Sequence, residues 1–217
     1  MRNTLIELAG EKGGLPPLPE VLCRLADKIE DPDSCISDIV ELIQTEPVLA
    51  GRFIKLANSV FFGGGRDKVE DLHNAIGRLG LKMVLDLAYT VELPRLFVKI
   101  QGMDQMQFWR HSLVVAVCSQ SLSRLAKASA EDQSNAYLGG LMHDIGIMVF
   151  AHLIPEKYSA FLSRAASVEM SLASQEEKEF GIAHPELGSL FISKRWPVDP
   201  EVVNEVKNHH CPLRGQA

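Results

Sequence analysis

The 217-residue sequence lacks an excess of positive charge. It has 22 Lys and Arg residues against 28 Asp and Glu residues, and its formal net charge is −6. Proteins that bind nucleic acid gain much of their affinity by neutralising phosphates with clustered Lys and Arg side chains. This charge balance therefore disfavours DNA or RNA as a partner.

The sequence also lacks a Cys-x-x-Cys pair, and we expect neither a membrane-crossing run nor a secretory leader. No apolar run approaches the roughly 20 residues that cross a bilayer, and the first residues, MRNTLIELAG, have no continuous apolar segment with a cleavage site. The four cysteines lie far apart in the sequence: Cys23, Cys35, Cys118 and Cys211. Because three of them lie in apolar segments of helical pattern, we expect reduced, mostly buried thiols in a cytoplasmic protein that does not enter a membrane.

Strict alternation of apolar and polar residues is absent, and the hydrophobic period is close to 3.6 along the chain. The pattern predicts an all-α fold. Expected features of the first half are a helix begun by Ser34, a helix begun by Pro47, a loop at FFGGGRDK (61–68), and a helix ended by Pro94.

The polar stretch KIQGMDQ (99–105) predicts a boundary between two helical subdomains, 1–100 and 101–217. In the second subdomain the periodicity predicts helices over about 104–129, 134–152 and 155–173. Two shorter helices follow, one with Pro185 in its first turn and one capped by Asp199.

Five of the seven histidines occupy informative positions on these helices. His111 falls on a stripe that also contains Phe108, Val115, Cys118, Leu122 and Leu125, so we expect its side chain to point inward. His209 and His210 continue the apolar stripe of the last helix, and His184 begins the apolar face of the helix before it. The fifth, His143, is followed directly by Asp144.

Glycines surround the His143–Asp144 pair. Gly139, Gly140 and Gly146 lie four and three residues before His143 and three residues after it. Each glycine inside a helix costs about 1 kcal/mol relative to alanine. The simplest reason for three of them is that another helix, a ligand or a metal comes close to this pair.

Five imidazoles and one carboxylate are the mixed nitrogen and oxygen donors that bind Zn, Fe or Mn. A single histidine on an apolar stripe is more often a hydrogen-bonded core residue, and Asp144 alone would be an ordinary carboxylate. The convergence of five histidines favours a metal site. We interpret Asp199 as a helix cap, and His73 and His152 as surface or hydrogen-bonded histidines.

Several segments resemble, in order and spacing, the HD superfamily: FWRH, GLMHDIG, EFGIAHPELG, KRWPVDPEVV and NHH. They resemble more closely its HDOD branch, the HD-related output domain of bacterial signalling proteins. The first half is similar to the N-terminal part of that branch, from LPPLPEV through NAIGRLG. The resemblance covers residues from about 15 to 212.

The resemblance implies an HD-like helical core in the second half, packed on an N-terminal helical bundle. It also implies a regulatory role in bacterial signal transduction, usually without established catalytic activity. The related HD-GYP branch uses matching histidines to hold a metal centre that hydrolyses cyclic dinucleotides. The positions that match its metal ligands are His111, His143, Asp144, His184, His209 and His210.

Two departures from the hydrolytic pattern argue against catalysis. The hydrolytic motif continues as HD-x-G-K, with a lysine that contacts phosphate, whereas Ile147 follows Gly146 here. The hydrolytic branch continues after NHH with a Gly-Tyr-Pro segment and a later aspartate ligand, whereas this sequence reads CPLRGQA and has no Asp after Asp199. Metal-assisted hydrolysis needs a firmly held ion and a cation near the leaving phosphate. We therefore expect a degenerate site.

The leading hypothesis is a non-catalytic signalling domain whose partners are other signalling proteins. It would retain a pocket near His143 and a divalent transition metal (Fe, Mn or Zn) as a structural element. The alternative is a metal-dependent phosphohydrolase acting on a nucleotide or cyclic dinucleotide, with Asp144 at its catalytic centre. A sensor that binds a small molecule or nucleotide in the same pocket is a third reading, and the sequence leaves the partner, the ligand and the oligomeric state open.

Overall fold

The structure is a computed structural model, which describes residues 1–10, 15–59, 68–97, 100, 102–165 and 167–211. Within these residues all regular secondary structure is helical, which confirms the predicted all-α class. The first six helices are α1 (Arg2–Gly10), α2 (Glu20–Glu30), α3 (Ile36–Gln44), α4 (Pro47–Ala57), α5 (Leu72–Leu79) and α6 (Leu81–Leu96). The next seven are α7 (Gln105–Leu125), α8 (Ala130–Met142), α9 (Ile145–Leu153), α10 (Pro155–Ala165), α11 (Leu172–Phe180), α12 (His184–Arg195) and α13 (Pro200–Asn208).

The chain forms two compact units. One is Leu18–Leu93, and the other combines Met1–Pro17 with Pro94–Ala217. The N-terminal residues belong to the second unit because α1 packs on α9 and α12. The Arg2 guanidinium also donates two hydrogen bonds to the Glu186 carboxylate, at 3.0 and 2.5 Å. This division differs from the sequence-based one, in which residues 1–100 form a single subdomain.

Helix ends follow local chemistry. Pro47 begins α4, and the Asp199 carboxylate accepts a hydrogen bond from the backbone N–H of Glu201, as expected of a cap. The prediction of Ser34 as the cap of α3 is wrong, since Cys35 occupies that position and the Asp38 carboxylate accepts from its backbone N–H. The loop predicted at 61–68 lies, apart from its last residue, outside the described residues.

Several helix boundaries differ from those predicted. The helix ended by Pro94 runs two residues further, to Leu96. The segment predicted as one helix over 134–152 is two helices, because α8 ends at Met142 and α9 begins at Ile145. The helix expected over 155–173 ends at Ala165, and the separate helix α11 was not predicted.

The prediction that α7 buries its apolar stripe is wrong. Leu122 is 66% exposed and Leu125 is 79% exposed, while the residues of α7 that are buried are small or polar: Ser112, Ala116 and Gln120. The reason lies in α8, since a Cβ added to Gly140 would lie 2.8 Å from the Cα of Ala116. Two helices this close accept only small residues at their contact, so the larger apolar residues of α7 face outward.

The cysteines are also more exposed than predicted. All four are free thiols, but Cys35, Cys118 and Cys211 are exposed and Cys23 is half-buried. The expectation of mostly buried thiols is therefore wrong.

A second close contact joins α9 to α12. A Cβ added to Gly146 would lie 2.0 Å from the carbonyl oxygen of His184, and one added to Gly188 would lie 2.8 Å from the backbone nitrogen of Gly146. The close approach inferred from the glycines is thus present, and it brings the start of α12 to the start of α9.

The segment Ala130–Leu153, which contains α8 and α9, has the length and the mean hydropathy of 1.2 that a membrane-crossing helix could have. The sequence pattern predicted no such segment. Of its most apolar window, 67% is buried inside the protein, as in the core helix of a globular protein.

Candidate metal centre

The structure brings together all six predicted ligand residues, from four places in the chain. His111 lies on α7, His143 and Asp144 join α8 to α9, His184 is the first residue of α12, and His209 and His210 follow α13. Their donor atoms form two groups in which all atoms lie within 4.8 Å of one another. One group is His111, His143 and Asp144, and the other is Asp144, His184, His209 and His210.

Asp144 is the residue that the two groups share. Its Oδ2 lies 3.0 Å from Nε2 of His143 and 3.7 Å from Nε2 of His111. Its Oδ1 lies 3.3 Å from Nε2 of His184 and 3.4 Å from Nε2 of His209. Each carboxylate oxygen therefore faces its own pair of imidazoles. This arrangement depends on the break between α8 and α9, because His143 and Asp144 occupy the turn.

The charge of Asp144 is strongly stabilised. Burial would raise the pKa of its carboxyl, but hydrogen bonds from His143, His184 and His209 outweigh burial and hold the pKa well below its usual range. At His143, burial opposes the charged form, and the hydrogen bond to Asp144 outweighs it to raise the pKa of the imidazole. The centre is therefore anionic at its middle and ringed by imidazoles.

Backbone carbonyls orient two of the histidines. Nδ1 of His143 lies 2.8 Å from the carbonyl oxygen of Gly140, and Nδ1 of His209 lies 2.8 Å from that of Val206. A carbonyl only accepts, so each Nδ1 carries the proton and donates. When such a ring gives up the proton on Nε2, the Nε2 lone pair points at the centre, and this neutral form is the one in which histidine binds metals.

A buried carboxylate orients His184. Oε2 of Glu176 lies 2.6 Å from Nδ1 of His184 and accepts from its backbone N–H at 2.7 Å, while Oε1 accepts from the Tyr158 hydroxyl at 2.5 Å. Glu176 and the His184 side chain are almost fully buried. Burial would lower the pKa of His184, but its hydrogen bonds to Asp144 and Glu176 outweigh burial and raise the pKa to about 9.

Sequence reasoning missed Glu176 and Tyr158. Glu176 stands in the polar segment SQEEKEF, where nothing separates it from its exposed neighbours. The one usable signal was His184 itself, because a buried imidazole needs a hydrogen-bond partner.

Two pairs of histidine nitrogens face each other in the cluster, and a cation between them would bind their lone pairs. Nε2 of His111 lies 3.2 Å from Nε2 of His143, and Nε2 of His184 lies 3.1 Å from Nε2 of His210. In the first pair His143 donates from Nδ1 to Gly140, and in the second pair His184 donates from Nδ1 to Glu176. In its neutral form, each of these two rings therefore presents only the lone pair of Nε2 to the neighbouring histidine. Among the described residues, the buried Nε2 of His209 makes no hydrogen bond shorter than its 3.4 Å contact with Oδ1 of Asp144. This donor set fits a divalent transition metal.

The centre is open on one side. The His111 side chain is 55% exposed, so the expectation that it points into the core is wrong, although its Nε2 still reaches the cluster. His210 is also exposed. Burial of part of its imidazole against the cluster lowers its pKa. The two histidines left out of the site prediction lie on exposed positions, His73 on α5 and His152 at the end of α9.

A cavity of about 380 Å³ adjoins the cluster between α7, α8 and α13. It is lined by Val115, Ser119, Ala136, Gly139, Gly140, His143, Asn204, Glu205, Asn208 and His209. Burial, and then the nearby charges of Glu201 and Asp199, raise the pKa of the Glu205 carboxyl to about 7.

The family model for the HDOD domain matches residues 15–212. The chain belongs to the HDOD family. The resemblance inferred from the sequence motifs is thereby confirmed, and the match spans both compact units of this HDOD chain.

Known proteins similar to this HDOD chain are longer than it is. An uncharacterized protein of Treponema pallidum (strain Nichols) is 28% identical over 198 residues, which is 90% of this chain and 37% of that protein. The chain thus spans little more than a third of that relative. An HDOD domain protein of unknown function from Geobacter sulfurreducens is 25% identical, with a TM-score of 0.80 over 97% of this chain and 71% of that one.

A third similar protein has a name that refers to metal-dependent chemistry. It comes from Shewanella amazonensis SB2B and is named as a candidate metal-dependent phosphohydrolase. It is 25% identical, with a TM-score of 0.66 over 89% of this chain and 68% of that one.

Proposed function

We propose that this chain is a regulatory HDOD domain of bacterial signal transduction that holds a divalent transition metal and does not hydrolyse phosphate esters. The metal, Fe, Mn or Zn, would be held by Asp144 and the five histidines of the cluster. It would fix α7, the end of α8, the start of α12 and the end of α13 around one point. Partners would be other signalling proteins.

The observation that carries the non-catalytic proposal is the absence of a cation where a phosphate would need one. Ile147 stands in place of the lysine of the hydrolytic motif, and its side chain is buried in α9. The described residues that line the adjoining cavity contribute a carboxylate, amides and imidazoles, but neither Lys nor Arg. A phosphate ester would enter a cavity that repels its charge.

A cytoplasmic location is part of the proposal. Four free thiols, three of them exposed, suit a reducing compartment. The apolar segment Ala130–Leu153 is mostly buried and supports a globular core role.

The alternative is a metal-dependent phosphohydrolase acting on a nucleotide or cyclic dinucleotide, with Asp144 as a ligand at its catalytic centre. The observation that favours it is the sharing of Asp144 between two donor groups, one on each carboxylate oxygen. Two-metal sites use such ions to activate water and to stabilise the leaving oxygen.

Metal analysis and hydrolysis assays separate these functions. The purified protein should contain metal in stoichiometric amount, and this metal should be lost in His143→Ala but not in the control His152→Ala. Neither the native protein nor His152→Ala should hydrolyse bis(p-nitrophenyl) phosphate, nucleotides or cyclic dinucleotides in the presence of Fe, Mn or Zn. Turnover by the native protein that His143→Ala abolishes would establish the phosphohydrolase instead.

A further inference from the structure

The cavity beside the metal centre contains a carboxylate without a role in the cluster. Glu205 of α13 lines the cavity, but its oxygens do not belong to either group of donor atoms around Asp144. Among the residues that the structure describes, no hydrogen bond or ion pair to the Glu205 side chain is present. One side of the residue is open to solvent, so a ligand can reach it.

Gly139 makes room for this carboxylate. A Cβ added to Gly139 would lie 1.7 Å from Oε2 of Glu205 and 2.9 Å from its Cδ. The carboxylate therefore lies directly over the backbone of α8, at a position where any larger residue would displace it. Glycine in a helix is unfavourable by about 1 kcal/mol relative to alanine. The close contact at this position supplies a reason for that cost.

The electrostatics of the cavity select the sign of a ligand. Burial and the charges of Glu201 and Asp199 disfavour the ionised form of Glu205. A bound cation would relieve this unfavourable environment, whereas an anion would increase it.

The remaining lining residues set the size and the polarity of the ligand. The volume of about 380 Å³ is in the range of small-molecule pockets, which run from about 300 to 1,000 Å³. Apolar wall atoms come from Val115 and Ala136, and hydrogen-bonding groups come from Ser119, Asn204 and Asn208. Such a pocket accepts a compact apolar body that carries one polar head group.

We infer that this cavity binds a small organic cation, an amine, amidine or guanidine, whose charged group pairs with the Glu205 carboxylate. A planar amidinium or guanidinium group can donate two parallel hydrogen bonds to a carboxylate, which makes the pair stronger and more directional. The inference rests on the regulatory function proposed above, because the cation would be the signal that the domain senses. Cation binding itself does not require the metal.

Three probes of the same shape and different charge test the inference: benzamidine, benzamide and phenyl phosphate. Their binding to the whole 217-residue chain, freed of metal, is measured by calorimetry and by ligand-observed NMR. Benzamidine should bind at least tenfold more tightly than benzamide, and phenyl phosphate should not bind. Equal binding of the cationic and neutral probes, or preference for phenyl phosphate, overturns the inference.

Two variants place the binding at Glu205. Glu205→Gln should reduce benzamidine affinity to that of benzamide, while Glu201→Gln, which removes the same charge from the same helix outside the cavity, should retain most of it. Gly139→Ala should also weaken the binding of benzamidine, because the new methyl group displaces the flexible end of the Glu205 side chain. Unchanged benzamidine affinity in both Glu205→Gln and Gly139→Ala, with folding verified by circular dichroism, overturns the assignment.

Failure of this inference and failure of the proposed function give different results. If the cation does not bind but metal is present and lost in His143→Ala, the ligand assignment is wrong and the metal centre stands. If benzamidine binds the metal-free protein but no metal binds at any stage, the metal centre is wrong and the cation pocket stands.

Discussion

The imidazole of His184 is held by the Glu176 carboxylate, with Nδ1 and Oε2 2.6 Å apart and both side chains removed from solvent. An ionised partner at Nδ1 makes Nε2 a better metal donor and fixes the plane of the ring. The Tyr158 hydroxyl binds the other oxygen of the same carboxylate. These contacts make Glu176 the positioning residue of the centre.

Glu176→Gln should lower metal affinity by about 10- to 100-fold, because the amide keeps the shape of the carboxylate but not its charge. Competition titration with a chromophoric chelator measures this change. The matched control is Glu177→Gln, which removes a charge from the next, exposed residue of α11. A Glu176→Gln protein with native metal affinity would show that the carboxylate serves the fold alone.

The stability of the metal-free protein should fall as the pH rises from about 7 to 9. The folded state raises the pKa of His184 to about 9, against about 6.5 in an unfolded chain, so its stabilising effect is complete below pH 6.5 and is lost as the pH approaches 9. The loss across this window is about 2 kcal/mol. The raised pKa of His143 acts in the same direction.

Urea unfolding of chelator-treated protein at pH 7 and pH 9 measures this loss. Glu176→Gln should weaken the pH dependence, because one of the two carboxylates that raise the pKa of His184 is gone while Asp144 remains. A metal-free protein equally stable at both pH values would contradict the assignment of a protonated His184.

Gly146→Ala should destabilise the protein by about 2 kcal/mol or more, because the new methyl group meets the backbone of His184 and Gly188, which cannot yield as a side chain can. The control in the same compact unit is Gly10→Ala. There the added atom meets only the flexible end of Lys194, so the change should stay within about 0.5 kcal/mol. Thermal unfolding compares the two variants, and similar transitions would contradict the close contact of α9 and α12.

Three of the four thiols should react rapidly with a thiol reagent in the native protein. Cys35, Cys118 and Cys211 are exposed, whereas Cys23 is half-buried and burial raises the pKa of its thiol. Release of thionitrobenzoate from Ellman's reagent should therefore show a fast phase of three equivalents and a slow phase of one. Cys23→Ser should remove only the slow phase. If this variant loses part of the fast phase, Cys23 is not the protected thiol and the exposure pattern is contradicted.

Helical periodicity was sufficient to predict the fold class, and the apolar stripes of α12 and α13 led to three of the candidate ligands, His184, His209 and His210. His111 was selected on a stripe of α7 that is exposed, so its place in the cluster does not follow from periodicity. Periodicity could not predict which face of α7 is buried. That choice depends on the contact between Ala116 and Gly140, which are distant in sequence. Periodicity also did not predict that Glu176 is buried in an otherwise exposed polar segment. Nor did it predict the pairing of Arg2 with Glu186, which lie 184 positions apart. These failures have a common cause, since long-range contacts decided between locally equivalent alternatives.

The dispersal of the donors along the chain has a consequence for the order of folding. His111 and His210 are 99 positions apart (210 − 111), and the donors between them lie on other helices. Closing such a loop costs entropy before any contact is gained. The centre can therefore assemble only late, after the helices α7, α8, α12 and α13 have docked. An ion that binds it would stabilise the native state without binding the unfolded chain, so that metal supply would set how much of the protein is folded.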